Sequence, residues 1–162
     1  MTTERGVVSA FRHTGIVVTD TERSLGFYRD LLGLSVVREL EESGAYLETL
    51  LTVPHARVRT IKLSIDGTTP CLELLQFPSH PATAPASRPV YAVGPSHVAF
   101  SVSDVEAVYR RLSKAGVSFT APPQRSPDGA VKVTCCRDPD GVMVELVEVV
   151  TQPARSVARQ RG

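Results

Sequence analysis

Apolar residues fall at two periods along this chain, and the order in which the periods alternate predicts its architecture. Residues 21–33 carry Leu25, Tyr28, Leu31 and Leu32 on one face of a helix. Thr19 or Asp20 is placed to accept hydrogen bonds from its first turn, and Gly33 to end it. Residues 34–38, 45–51, 57–65 and 71–77 then alternate apolar and polar positions closely enough to read as strands. Asp66-Gly67 supplies a turn that makes a hairpin of the last two. The same order recurs after residue 95. A second helix, capped by Ser103 or Asp104, presents Val105, Val108, Leu112 and Ala115 and stops at Gly116. Strands are expected at 117–120, 130–137 and 142–149. The last two are joined by Asp138-Pro139-Asp140-Gly141, where proline presets one dihedral and glycine accepts a positive one.

Each half opens on the same short motif. His13-Thr14-Gly15-Ile16-Val17-Val18-Thr19-Asp20 precedes the first helix, and His97-Val98-Ala99-Phe100-Ser101-Val102-Ser103-Asp104 precedes the second. Such a duplication sets the architecture before any propensity argument does. Each half also ends on an apolar run with one carboxylate inside it, Leu72-Glu73-Leu74-Leu75 and Val144-Glu145-Leu146-Val147. A lone histidine at a strand start is ordinarily structural. A carboxylate in the middle of an apolar strand is harder to dismiss, because it costs several kcal/mol of desolvation unless it is paired, protonated or bound to a cation. No lysine or arginine adjoins either glutamate in sequence. Two such carboxylates in register with two histidines point to a shared divalent-cation site.

Composition narrows the function classes. With 162 residues the chain is long enough for a real core, in one domain or a tight pair of half-domains. The expected division is an N-terminal extension over 1–10, a first module over 11–78, a linker over 79–94 holding Pro81, Pro85 and Pro89, a second module over 95–150, and a flexible tail over 151–162 with Arg155, Arg159 and Arg161. The formal net charge of +1, with interspersed signs, argues against nucleic acid as the main partner. There is no apolar leader and no apolar run long enough to span a bilayer, so a cytoplasmic protein without a membrane partner is expected. The three cysteines include the neighbours Cys135 and Cys136, whose side chains lie on opposite faces of an expected strand, which disfavours a disulfide framework.

The motifs over residues 11–148 resemble the vicinal oxygen chelate superfamily, which includes glyoxalase I, methylmalonyl-CoA epimerase, extradiol dioxygenases and bleomycin-binding proteins. The resemblance is carried by His13-x-x-x-x-Val18-x-Asp20 before a helix with Phe27-Tyr28 and Leu32-Gly33, by His97-Val98-Ala99-Phe100, and by Asp138-Pro139-Asp140-Gly141-x-x-x-Glu145. It implies an α+β fold of two βαβββ modules whose mixed, largely antiparallel sheets form a cup around a metal site. It further implies one divalent ion (zinc, nickel, cobalt, manganese or iron) on His13, Glu73, His97 and Glu145, and a homodimer.

Departures from the family patterns sort its chemistries. Extradiol dioxygenases leave the second ligand place without a donor, whereas this chain has Glu73 there, and Cys135 stands where they tend to carry a tyrosine. Glyoxalase I grips glutathione with an arginine and an asparagine at positions that here are Val17 and Phe77. Bleomycin-type binders lose the metal ligands that this chain keeps. What the resemblance leaves is proton transfer by a metal-dependent epimerase, isomerase or lyase. Polarising a chelated carbonyl acidifies the neighbouring C–H, and a base can then remove its proton. Glu145 is the candidate for one base and His55, in Val53-Pro54-His55-Ala56, for the other. The alternatives are an iron-dependent extradiol-type dioxygenase and a metal-free antibiotic-binding protein. Tyr46, Leu50, Phe77, Tyr91 and Phe119 suggest a modest organic substrate. Arg57, Arg59, Lys62 and Arg125 do not make the cluster that a coenzyme A tail would favour.

Overall fold

The structure, a computed structural model, describes residues 7–83 and 89–150. The first six residues, the middle of the expected linker and the expected tail 151–162 lie outside the described residues. The chain divides into two compact units, Met1–Ala86 and Ser87–Gly162.

In the first unit, strand β1 (Thr14–Val17) leads into helix α1 (Thr21–Leu25). Asp20 caps it, its Oδ1 accepting hydrogen bonds from the amides of Glu22 (2.8 Å) and Arg23 (3.1 Å). The helix then widens into π-helical turns over Gly26–Leu31, closed by a bond from Leu32 N to Phe27 O at 2.9 Å. Gly33, at φ 86°, ends the segment. Leu25, Phe27 and Tyr28 are buried, and Phe27 and Tyr28 meet edge to face. Strands β2 (Ser35–Ser43), β3 (Arg57–Ser64) and β4 (Pro70–Gln76) complete a sheet of order β1-β4-β3-β2, with β1 parallel to β4 and the other pairs antiparallel. One sheet face buries Ile61, Leu63, Leu72 and Leu74.

Residues 45–51 are not the strand expected from their alternation. They form helix α2 (Ala45–Leu51), which buries Leu47 against Ala56, Val58, Leu75 and Phe77 and leaves Tyr46 and Leu50 exposed. Alanine, leucine and glutamate all favour a helix, and Leu47 sits at the one point where the segment meets the sheet, so a single anchor with strong propensity overrides a weak period-two pattern.

The second unit repeats the plan with β5 (Val98–Ser101), helix α3 (Val105–Lys114), β6 (Gln124–Arg125), β7 (Val131–Arg137) and β8 (Met143–Val149), in sheet order β5-β8-β7-β6. Again the first strand is parallel to the last. Asp104 caps α3, Gly116 at φ 85° closes it, and α3 lies against β7 and β8 with its Val105 and Leu112 and the strands' Cys136, Val144 and Leu146 all buried. The strand expected at 117–120 is reduced to one bridge, Phe119 to Cys136, and the short β6 lies a few residues later. Gly116 sends the chain off the helix, and Pro122 and Pro123 follow at once, leaving no room for a longer ladder there. The architecture is therefore α+β, two four-stranded mixed sheets each backed by a helix. Among the described residues no helix is long and apolar enough to cross a membrane.

Candidate metal centre

The duplication places its chemistry at equivalent points of the two sheets. Glu73 lies opposite Gly15 in the parallel β1–β4 pair, and Glu145 lies opposite Ala99 in the β5–β8 pair. Each histidine stands two residues before that partner and so faces the same side of the sheet. His13 Nε2 is 3.2 Å from Glu73 Oε2, and His97 Nε2 is 3.4 Å from Glu145 Oε2. Two donors held at about 2.1 Å and roughly tetrahedral to octahedral angles on one cation stand about 3.0–3.4 Å apart, so either pair fits an edge of a coordination shell. Within each unit the converging donors are this one histidine and one glutamate. Among the described residues no unit gathers three or more potential ligands.

His97 has a partner that sets its ring. Ser96 Oγ lies 2.8 Å from His97 Nδ1, and the tautomer in which Nδ1–H donates to that hydroxyl leaves the Nε2 lone pair toward Glu145.

The two carboxylates differ in environment. Glu73 is 7% exposed, and across the antiparallel β3–β4 pair its register partner is Lys62, with Nζ 2.5 Å from Oε1. A lysine far away in sequence therefore compensates part of the burial cost. The compensation is incomplete as a hydrogen bond, since among the described residues no donor reaches the buried Oε1 with hydrogen-bond geometry despite the short ion-pair distance. The other oxygen, Oε2, stands beside the His13 imidazole at ligand spacing and suits the donor set of a divalent cation. Glu145 is more open and its cross-strand partner is the uncharged Cys135. Burial, and secondarily the charge of Glu145, pushes the Cys135 thiol above the usual range.

His55 occupies an exposed turn between α2 and β3 with a left-handed backbone (φ 54°). Among the described residues its ring makes no ion pair with either glutamate, whose imidazole partners are His13 and His97. Phe77 packs in the small core under α2, Phe119 rests edge to face on Tyr109, and Tyr91 is exposed. Arg59 is committed to Glu39 at 2.6 Å, Glu22 at 2.9 Å and Thr21 Oγ1 at 2.7 Å, tying β3 to β2 and to the start of α1.

The model of the glyoxalase/bleomycin resistance protein/dioxygenase superfamily matches residues 10–146. The chain belongs to this superfamily. Among curated relatives, a lactoylglutathione lyase of Pseudomonas aeruginosa is 31% identical over 152 residues, covering 85% of this chain and 81% of the relative. The uncharacterized protein YwkD of Bacillus subtilis is 30% identical, covering 88% of this chain and 98% of the relative. A glyoxalase family protein from Bacillus cereus shares the fold at a TM-score of 0.80 and 20% identity, over 92% of this chain and 99% of that one. As a superfamily member the chain shares a fold on which metal-assisted lyase chemistry is one of several activities.

Proposed function

We propose that this protein is a divalent-metal-dependent isomerase, epimerase or lyase that moves a proton next to the carbonyl of a small organic substrate. The observation that carries the reading is the repeated pair, His13 with Glu73 and His97 with Glu145, each at a spacing suited to one cation. The proposed ligand set is all four residues, one pair from each unit. Mixed imidazole and carboxylate donors accept zinc, nickel, cobalt, manganese or iron. The lactoylglutathione lyase relative supports an enzyme over a pure binder. Glutathione adducts are not the proposed substrates, because Val17 offers no cation and Phe77 is engaged in the core under α2.

A divalent ion, if held by His13, Glu73, His97 and Glu145, would supply Lewis acidity toward adjacent oxygens of a carbonyl compound. Glu145 is proposed to take the proton from the neighbouring carbon. It is the more exposed of the two glutamates, and no ammonium holds it in place. His55 is proposed to act from the other side, and the observation in its favour is its left-handed backbone, a conformation that costs a non-glycine residue energy and collects at functional positions.

Metal content of the protein purified without added metal and then reconstituted, beside Glu73→Ala treated identically, tests the site. About one tightly held ion per chain that is weakened without Glu73 is the expected result. Binding indifferent to Glu73 would instead favour a three-ligand dioxygenase, and no binding at all a metal-free binder. Solvent deuterium entering substrate carbonyl compounds, without substrate-dependent oxygen uptake, is the expected signature of the reaction class.

A further inference from the structure

We propose that Lys62 makes this centre selective for substrates bearing a carboxylate next to the reacting carbonyl, that is, for small 2-oxo acids. The proposal rests on the metal-site reading above and names its substrate class.

Register pairs across the first sheet set Gly15, Glu73, Lys62 and Arg38 in one row, each opposite the next. Directly opposed residues share a face, so the row runs from the His13 side of the sheet to its β2 edge. The two oxygens of Glu73 divide between its neighbours, Oε2 toward His13 and Oε1 toward Lys62. Lys62 is itself only 21% exposed, and Arg38 beyond it is exposed and makes no ion pair among the described residues. The corresponding row of the second sheet, Ala99, Glu145 and Cys135, contains no cation. A lysine at this place is thus not something the fold requires in order to set a glutamate in the last strand.

Charge decides what such a lysine does. Two carboxylates balance one divalent cation, and both imidazoles are neutral when they ligate. Lys62 then leaves the centre one positive charge in excess, in a half-buried setting where Coulomb attraction is strong, with Arg38 extending the same sign outward. A neutral dicarbonyl leaves that charge unmatched. A 2-oxo acid presents the same pair of vicinal oxygens together with one negative charge, which closes the balance. Arg59 adds nothing for a polyanion, since it is already tied to Glu22 and Glu39.

The test uses the full chain loaded with Mn²⁺ and compares pyruvate with 2,3-butanedione, which share shape and vicinal oxygens and differ in charge. Paramagnetic broadening of the methyl protons reports binding of each, and the signal of free Mn²⁺ reports metal affinity. The wild-type protein is expected to prefer pyruvate by about tenfold or more, the scale of one charge-assisted hydrogen bond. Mn²⁺ itself favours the anionic donor, so the Lys62 contribution is read as a difference: Lys62→Met is expected to hold Mn²⁺ yet to lose about tenfold of the wild-type preference for pyruvate, whereas Lys62→Arg keeps it. Lys62→Gln replaces the methionine variant if the latter fails to fold. Equal binding of the probes by the wild type, or a preference that loss of the ammonium leaves undiminished, overturns the Lys62 proposal and leaves the metal site standing. Failure of the wild type to bind Mn²⁺ or any other divalent ion overturns both.

Discussion

Glu148 Oε2 accepts a hydrogen bond from the amide of Val105 at 2.9 Å, so the strand that carries Glu145 also holds the first turn of α3. The first unit does the same with Gln76, whose Oε1 accepts from Thr21 N at 3.3 Å and Thr21 Oγ1 at 2.9 Å. Both anchors lie three residues beyond the candidate ligand and therefore on the opposite face of the strand. One face of each last strand carries the candidate ligand and the other fixes the helix whose orphan amides need acceptors. Glu148→Ala should lower stability by about 1–2 kcal/mol in urea unfolding, and Glu148→Gln by less, because the amide oxygen can still accept while the charge near the helix N-terminus is lost.

These anchors show how unevenly the molecule is legible in its sequence. The caps Asp20 and Asp104, the closing Gly33 and Gly116 and the strand carboxylates are local signals and were readable. Lys62 was not. A two-residue Asp66-Gly67 turn would have set Glu73 opposite Thr60, but residues 65–69 all lie between the strands, which moves the register by one, and an irregularity between Leu63 and Ser64 moves it once more to Lys62. Helix α2 is hidden in the sequence because its one buried residue, Leu47, makes no helical stripe. The pairing of each histidine with its glutamate depends on a parallel pairing of strands more than fifty and more than forty residues apart, which only the duplication suggests.

Asp66 organises that five-residue connection. Its Oδ1 accepts from Ser64 Oγ at 2.6 Å, Thr69 N at 2.7 Å and Thr68 N at 2.8 Å, and these bonds hold its carboxyl well below the usual carboxylate range, the Ser64 hydroxyl contributing most. A depressed folded value means that the contribution to stability is present above the ordinary carboxylate pKa and is lost as pH falls through the folded value. Asp66→Ala should therefore be less stable than wild type at neutral pH, with the difference shrinking toward strongly acidic pH in parallel urea titrations.

The thiols give the opposite sign. Burial pushes Cys136 up to about 11, helped by Cys135 beside it. Burial likewise raises Cys71 and Cys135. A raised folded value makes the contribution complete below the unfolded thiol pKa and lost as pH rises through the folded one, so alkaline pH should destabilise the protein. Cys136→Ala should flatten that alkaline loss even though it removes core volume. Iodoacetamide at pH 8 should modify the native thiols much more slowly than those of the urea-unfolded chain, with Cys136 slowest, as read by mass spectrometry of peptides.

Binding of a divalent ion should be visible in stability before any substrate is known. If His13, Glu73, His97 and Glu145 hold one ion in the folded state and not in the unfolded chain, adding metal to a hundred times its dissociation constant should add about 2.7 kcal/mol. Thermal unfolding should shift upward with zinc or nickel concentration and return on chelation. His97→Ala should remove most of the shift, because it takes away the donor that Ser96 orients. Ser96→Ala should retain the ion with weaker affinity, an intermediate result expected only if the Nδ1 hydrogen bond fixes the ring for ligation. A melting temperature that metal leaves unmoved in the wild type, while these variants unfold at the same temperature as their parent, would place both His–Glu pairs among ordinary strand contacts.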